Sequence, residues 1–365
     1  GNPGASRPRA AFADANADGF LDLYITNYEA TFGGPIIADR FYLATGAATF
    51  ADPTILSGKD CWAARGANWA DFDNDGDQDL YVSNYRLMPN ALWVNNGDGT
   101  FRDEAKARGV YGDATAGSEP ASPWYSAYEY TGHTIGSCWG DLNNDGNLDL
   151  VVVNFSHPPP FQNRVQVCLN SGPPSYTFHD TNKDAAAGIA WQESYAKGSL
   201  ADADNDGDLD LYLTTVYPGD SGDLFENDGT GHFTAVGDIL GVRVKGSYQI
   251  NWADVDNNGT MDLIVGGRLF RNEANAGNWV DVRCRGGAGS NADAIGTRIT
   301  VSGGGQTQIR EICAGNSGNQ DPFVAHIGLG SYAGPLTVTA RFPSGKTLTR
   351  TGKANTVMLL LERDA

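Results

Sequence analysis

Five stretches of this chain set oxygen-bearing side chains at every second position and then turn sharply at a glycine. The first is Asp14, Asn16, Asp18, Gly19 and Asp22, and the second is Asp71, Asp73, Asp75, Gly76 and Asp79. Asp141, Asn143, Asp145, Gly146 and Asp149 form the third; Asp202, Asp204, Asp206, Gly207 and Asp210 form the fourth. The fifth is Asp254, Asp256, Asn258, Gly259 and Asp262. At position 7 of each nine-residue loop the backbone carbonyl of Phe20, Asp77, Asn147, Asp208 or Thr260 offers one more oxygen. Such a donor set suits a hard cation. Calcium takes about six to eight oxygens in a flexible cage at roughly 2.3–2.6 Å, whereas magnesium prefers a tighter octahedron that keeps several waters. Three or four carboxylates gathered without a cation repel one another, so the recurrence argues against turns that hold no metal. The expectation is up to five calcium ions. The fifth loop, with Asn258 at position 5, carries one charge fewer than the richest copies and should bind less tightly.

These loops are not EF-hands, which carry helices on both sides and a bidentate Glu at position 12. Position 12 here is Ile25, Val82, Val152, Leu213 or Val265, each inside a short apolar run that reads as a buried strand. The loop therefore closes at its ninth residue and a strand leaves at once. Four short strands are expected around each loop. The first ends at Phe12, Trp69, Trp139, Leu200 or Trp252, and the second is the run holding position 12. The third covers residues 41–43, 91–94, 165–169, 224–225 and 269–270, and the fourth follows a Gly-rich turn, clearest at residues 95–101 and 227–233. Only residues 103–108 suggest a turn of helix.

The loops begin 57, 70, 61 and 52 residues apart, an elastic repeat. Four antiparallel strands repeated about a centre make a β-propeller, so the expected fold is all-β, with blades of four strands and five repeats visible. A five-bladed ring is the first choice; a portion of a larger propeller, or a ring closed by the C-terminal part, is the second. The fifth unit has no evident fourth strand unless residues 279–285 complete it. Residues 278–365 read as about six strands with Gly turns, a small β-domain following a propeller at residues 1–272.

The pairing of Asp-x-Asp-x-Asp-Gly-x-x-Asp-Leu with the Asn-Gly-Asp-Gly-Thr-Phe of residues 96–101 resembles the FG-GAP/VCBS repeats of integrin α-subunit propellers and many bacterial secreted proteins. The C-terminal stretch resembles the ASPIC/UnbV domain of the cartilage acidic protein group. The carrying residues are Asn278-Trp279-Val280, Ser290-Asn291 through Gly296, Gln308 to Glu311, His326-Ile327-Gly328-Leu329-Gly330 and Phe342-Pro343-Ser344-Gly345. Phe342 stands where the pattern leads one to expect Trp. The resemblance implies about seven blades, more than the five loops account for, and a calcium-dependent recognition function.

If the first strand of each unit lines the central channel, the aspartate loops share one face. The connections between units, and those joining strands two and three, then share the other. The latter face collects Cys61, Trp62 and Arg65; Trp124, Tyr125, Tyr128, Glu129, Tyr130 and His133; Trp191, Glu193, Tyr195 and Lys197; and Lys245 and Tyr248. Tyr28, Tyr85, Arg86, Phe155 and His157 join them from the second-to-third connections. Aromatic rings with a few polar groups on rigidly held loops suit a protein, glycan or matrix ligand. The competing use of these rings is to plug the gaps between blades. An enzyme of lyase, hydrolase or cyclase type, with His133, Glu129 and Glu193 as acid–base groups, is the alternative reading. No nucleophile elbow, phosphate loop, dinucleotide fingerprint or zinc motif is present.

The formal charge is -19, and 17 of the 44 acidic residues stand at positions 1, 3, 5 and 9 of the five loops, so bound calcium would cancel about half of the excess. A negative field without a basic run argues against nucleic acid. No apolar stretch approaches the roughly 20 residues that span a bilayer. Loops this open would fill at extracellular or periplasmic calcium levels, so a secreted or periplasmic location is expected. Five cysteines are present, and Cys284 and Cys313 could pair or remain free thiols.

Overall fold

The computed structural model describes residues 8–30, 35–56, 62–112, 131–156, 163–274 and 277–365, apart from residues 316, 318 and 321. Each aspartate loop is a tight turn between two antiparallel strands, and its ninth residue is the first residue of the second strand. Blade 1 comprises Arg9–Ala13, Asp22–Thr26 and Arg40–Tyr42, with Thr54 paired to Phe41 at the fourth place. Blade 2 comprises Ala64–Ala70, Asp79–Asn84, Ala91–Asn95 and Phe101–Asp103. Blade 3 comprises Thr134–Gly140, Asp149–Asn154, Gln166–Asn170 and Phe178–Asp180. Tyr195–Ala201, Asp210–Thr215, Asp223–Asn227 and Phe233–Ala235 make blade 4. Blade 5 has three strands, Ile250–Ala253, Asp262–Val265 and Arg268–Phe270. The suggested helical turn is Ala105–Arg108, ending at the left-handed Gly109.

The first three strands of blades 2 to 4 are largely buried on both faces because each sheet packs between two others, and runs such as Leu150, Val151, Val152 and Val153 meet that demand. Between blades lie apolar clusters. One joins Ala11, Tyr24 and Phe41 of blade 1 to Trp69 and Leu80 of blade 2, and another joins Val151 and Val153 of blade 3 to Leu211 and Phe225 of blade 4.

Seven C-terminal strands, one more than expected, form two sheets. Asn278–Arg285 lies between Ala325–Gly330 (antiparallel) and Thr356–Leu361 (parallel). The other sheet orders Gln306–Glu311, Arg298–Gly303, Leu336–Arg341 and Thr347–Gly352. Val280, Val282, Ile299, Ile327, Val338 and Phe342 share the core between them. Phe342 thus fills the apolar position where Trp was expected. Asn278–Arg285 pairs with these strands, so it does not complete blade 5. Cys284 is buried in this core and Cys313 is exposed, and the two do not pair with each other.

The inner strands stand side by side in chain order, and a segment of the C-terminal half completes the centre. Phe12 of blade 1 pairs with Ala314. The Ser317 carbonyl accepts from Arg9 at 2.8 Å, and its hydroxyl bonds Asn68 Oδ1 of blade 2 at 3.2 Å and the Ser137 amide of blade 3 at 3.0 Å. Asn319 Oδ1 accepts from Lys197 of blade 4 at 3.4 Å and from the Ile250 amide of blade 5 at 3.5 Å. Ala314, Ser317 and Asn319 therefore touch all five inner strands.

Asn68→Leu strips the bonds to Ser137 and Ser317 and leaves buried polar groups unmatched. It is expected to lower unfolding free energy in denaturant by about 1–3 kcal/mol, whereas Ile239→Ala, at a side chain 85% exposed, should change it by less than about 0.5 kcal/mol.

Candidate metal centres and binding face

The loop backbone is wound by its own carboxylates. Position 4 is left-handed in every copy, with φ of 54° at Ala17, 61° at Asn74, 54° at Asn144, 59° at Asn205 and 58° at Asn257. Position 6 follows with φ of 88° to 108°, a conformation that glycine adopts without steric cost. Asp14 accepts the Asp18 amide at 3.0 Å and the Gly19 amide at 2.9 Å; Asp141 and Asp254 do the same at their own positions 5 and 6. The ninth aspartate braces two further segments. Oδ2 of Asp22, Asp149, Asp210 and Asp262 accepts the position 2 amide at 2.8–3.0 Å. Oδ1 of Asp22, Asp79, Asp149, Asp210 and Asp262 accepts an amide of the third strand or the residue beyond it, at 2.7–3.0 Å.

After these bonds, oxygens remain over. Asp71 Oδ1, Asp73 Oδ1, Asp77 Oδ1, Asp79 Oδ2 and Asp202 Oδ1 are buried without a hydrogen-bond partner. Carboxylate oxygens of Asp71, Asp73 and Asp79 lie within 4.8 Å of one another, as do those of Asp202, Asp204 and Asp206 and of Asp254, Asp256 and Asp262. These groups could hold a metal ion, and the all-oxygen donor set fits a hard one. Burial, reinforced by the neighbouring carboxylates, pushes the acids up: Asp73 to about 6, Asp206 to about 7 and Asp79 well above its ordinary value. Asp14, Asp22 and Asp141 rise to about 6, and Asp149 and Asp210 to about 8, again chiefly through burial.

The C-terminal sheets sit on this loop face. Asp71 pairs with Arg341, and Arg298 bonds Asn74 Oδ1 at 2.7 Å and Glu311 at 2.9 Å. The Gly328 amide donates to Asp202 Oδ2 at 2.8 Å, and His326 spans Asp281 and Asn205 at 2.7 Å each. The guanidinium of Arg310 is fully buried, in the field of Asp202, Asp141 and Asp208; burial lowers its proton affinity and those acids raise it. Sequence reasoning missed all of these contacts. Gln308 to Glu311 and His326 to Gly330 carry the family pattern, but nothing in a single sequence says that they face the loops.

On the opposite face the second-to-third connections bring rings together. Tyr28 meets Tyr85 edge-on at 6.0 Å, and Tyr85 lies 4.6 Å from the His133 ring and 6.2 Å from Phe155. Phe155 meets Tyr217 at 5.3 Å, and Trp191 Nε1 donates to Ser156 at 2.9 Å. The Arg65 guanidinium lies over Tyr28 at 4.0 Å and Tyr85 at 4.9 Å, while Arg86 binds Glu29 at 2.8 Å. Cation–π contacts of this kind hold the rings in place. Tyr217, 40% exposed, belongs to this row and was not anticipated; its place after the second strand matches Tyr28, Tyr85 and Phe155.

Other residues expected on that face lie elsewhere. Trp62 is buried in the cluster between blades 1 and 2, and Tyr195 packs on Phe225 inside blade 4. Both fill gaps between sheets. Lys197 is wholly buried in the channel, its Nζ 2.6 Å from Gln249 Oε1 and 5.0 Å from the Tyr248 ring; burial and Arg9 bring it down to about 6. Tyr248 in turn accepts from Arg9 at 2.9 Å. The reason is local: the inner strands of blades 2, 3 and 4 slip register between Ala64 and Gly66, Thr134 and Gly136, and Tyr195 and Gly198, and such a bulge re-aims the side chains around it. Glu193 lies beside Tyr217. Cys61, Trp124, Tyr125, Tyr128, Glu129, Tyr130 and His157 lie outside the described residues.

A model of the FG-GAP-like repeat matches residues 14–82, 71–152, 141–213 and 202–265, each window running from one loop to the strand beyond the next. A second, ASPIC and UnbV, matches residues 287–365. Cartilage acidic protein 1 of Homo sapiens is 26% identical over 380 residues, covering 96% of this chain and 53% of its own. The Xenopus tropicalis protein of the same name is 26% identical over 393 residues, covering 95% and 54%. The chain thus spans about half the length of these curated relatives. Among solved structures, BBS1N in complex with ARL6DN aligns over 95% of this chain and 92% of its own, with 10% identity and a TM-score of 0.43. No helix among the described residues is long and apolar enough to cross a membrane.

Carboxyls raised in the fold favour its protonated form. Their contribution is present below the unfolded value near 4 and is lost as pH climbs through about 6 and then about 8. In chelator, the melting temperature should therefore fall between pH 5 and pH 8.5. A flat profile in chelator would show that these acids ionise freely in the fold.

Proposed function

Because the chain belongs to the FG-GAP-like repeat family and ends in an ASPIC and UnbV domain, we propose that it is a calcium-stabilised recognition protein acting outside the cytoplasm. In this reading residues 1–272 form the propeller and residues 278–365 the domain that caps its loop face. The ligand, a protein, glycan or matrix component, binds the opposite face. One observation carries the assignment: Tyr28, Arg65, Tyr85, His133, Phe155 and Tyr217 form an unbroken row across blades 1 to 4. Aromatic rings beside an arginine are the side chains that dominate binding hot spots, and rigid sheets present them with little ordering cost.

Calcium has a structural role here. Asp71, Asp73, Asp75 and Asp79 with the Asp77 carbonyl hold one ion, and the equivalent residues of the other loops hold theirs, Asn16, Asn143 and Asn258 through their amide oxygens. The Asn16 and Asn143 amide nitrogens donate to Asp18 and Asp145 at 3.1 Å and 3.2 Å, and rotation of the amide presents oxygen instead. When bound, the ion neutralises the acid cluster and fixes the turn between first and second strands. An ion present at 100 times its dissociation constant stabilises the fold by about 2.7 kcal/mol.

Two measurements test this. Chelation should lower the melting temperature markedly at pH 7.5 and calcium restore it, with Asp75→Ala giving a partial form of the same loss; an unchanged curve in chelator removes the structural role. On an array of matrix proteins and glycans, Tyr85→Ala and Arg65→Ala should each weaken a calcium-dependent signal by tenfold or more. Retained binding in both variants, at wild-type melting temperature, would reject the aromatic face.

A further inference from the structure

Blades 2, 3 and 4 end in a fourth strand that begins with phenylalanine, and blade 5 lacks that strand. Phe101, Phe178 and Phe233 pair with Asn95, Asn170 and Asn227, the last residues of their third strands. Each ring fills the gap towards the preceding blade. Phe101 meets Phe41 of blade 1 at 5.3 Å and Trp69 of its own inner strand at 6.0 Å. Phe178 meets Phe72 at 5.7 Å and Trp139 at 5.8 Å. Phe233 is buried with Val165, Val167 and Ile189.

Blade 5 has the partners for such a strand. Asn272 gives its amide to Asp262 Oδ1 at 2.7 Å and its side-chain nitrogen to Ala203 O at 2.6 Å. Asn227 makes the equivalent bonds, to Asp210 Oδ1 at 3.0 Å and Leu142 O at 2.9 Å. Trp252 stands at the place of Trp69 and Trp139. The chain then passes from Phe270 directly to the strand at Asn278, too short a link to turn back and lie beside Arg268–Phe270. In place of the ring is a cavity of about 400 Å³, lined by Leu224, Val236 and Val242 of blade 4 and Trp252, Leu263 and Phe270 of blade 5. At its side Leu240 and Leu269 are 60% and 50% exposed, and among the described residues no strand lies beside the outer edge of Arg268–Phe270.

We propose that the groove between blades 4 and 5 binds an extended segment of another protein. The segment adds antiparallel to Arg268–Phe270 as the missing strand and seats a phenylalanine opposite Asn272, its ring against Trp252. Main-chain bonds to the open edge supply affinity, and the cavity supplies specificity. The filled blades define the sequence that fits. Two residues after the phenylalanine, Asp103 and Asp180 each accept a third-strand amide, Leu92 and Val167, at 3.2 Å; the equivalent amide here belongs to Leu269. The segment is therefore of Phe-x-Asp type. Among the described residues the chain's two strands of this kind, Phe101–Asp103 and Phe178–Asp180, are paired inside blades 2 and 3, and the related Phe233–Ala235 inside blade 4, so none of them is free to fill the groove and the occupant is a segment of another polypeptide.

The probe is a labelled peptide with the sequence of residues 97–105, Gly-Asp-Gly-Thr-Phe-Arg-Asp-Glu-Ala, titrated with the whole chain in calcium and followed by anisotropy. Saturable binding at about 0.1–1 mM is expected, at least tenfold weaker for the peptide with Ala in place of Phe. Val242→Trp, which fills the cavity from its partly exposed rim, should weaken binding by the same factor without lowering the melting temperature. In the wild type, peptide should slow hydrogen exchange at residues 268–272, a readout that stands even if the variant misfolds. No saturation by 2 mM, equal affinity of the Ala peptide, or unchanged exchange would overturn the site. So would self-association of the chain that the peptide displaces, since the groove would then be a contact between copies.

Discussion

In four of the five blades one carboxylate holds three segments together. The ninth aspartate of a loop takes an amide from the start of the turn with one oxygen and an amide at the third strand with the other, as Asp149 does with Leu142 and Asn170. That side chain is wholly buried, and desolvation resists its charge. Each loop therefore combines a geometry that needs acids with a setting that disfavours their ionised form. Glycine and the left-handed residue two places before it solve the geometric part, because they let three backbone amides curl towards the first and fifth side chains. The electrostatic part is left open by the protein alone, and the unpartnered oxygens of the second loop mark where.

The C-terminal sheets meet that same field with fixed positive groups. Arg298 and Arg341 approach the second loop, and Arg310 stands between the third and fourth. Glu311 is also buried there, hydrogen-bonded by Gln78 at 3.0 Å as well as by Arg298. Such pairs cost desolvation and gain Coulomb attraction in nearly equal measure, so their effect is to fix orientation more than to add stability. Ser317 and Asn319 then bond to all five inner strands, tying together strands that already stand side by side. Loops, C-terminal sheets and inner strands are thus a single construction, and the aromatic face is the one pointing the other way.

How much of this is legible in sequence follows from the range of each interaction. The loops are, because nine consecutive residues contain the whole donor set. The strand order is, because each loop is tied to an apolar run and a Gly turn at short range. Trp62, Tyr195 and Lys197 are not, since a bulge of one residue at the head of an inner strand exchanges channel and gap, and no residue type announces it. Arg65 falls within such a slip in blade 2 and lies over Tyr28 and Tyr85. The axial segment is illegible for a different reason. Ser317 and Asn319 are small polar residues whose role exists only when five strands from distant parts of the chain surround them.

Blade 5 shows the limit of repeat reasoning most clearly. Its loop, second strand, third strand and Asn272 all follow the pattern, and the sequence suggests that residues 279–285 supply the rest. The alternation of Val280, Val282 and Cys284 is satisfied better by the C-terminal core, where all three are buried between two sheets. A strand at the rim of blade 5 would bury one face against blade 4 and leave the other to solvent. Burial on the order of 25 cal/mol per Å² of apolar surface favours the site that covers more of it. The capping domain therefore gains its central strand, and the last blade is left with an open edge.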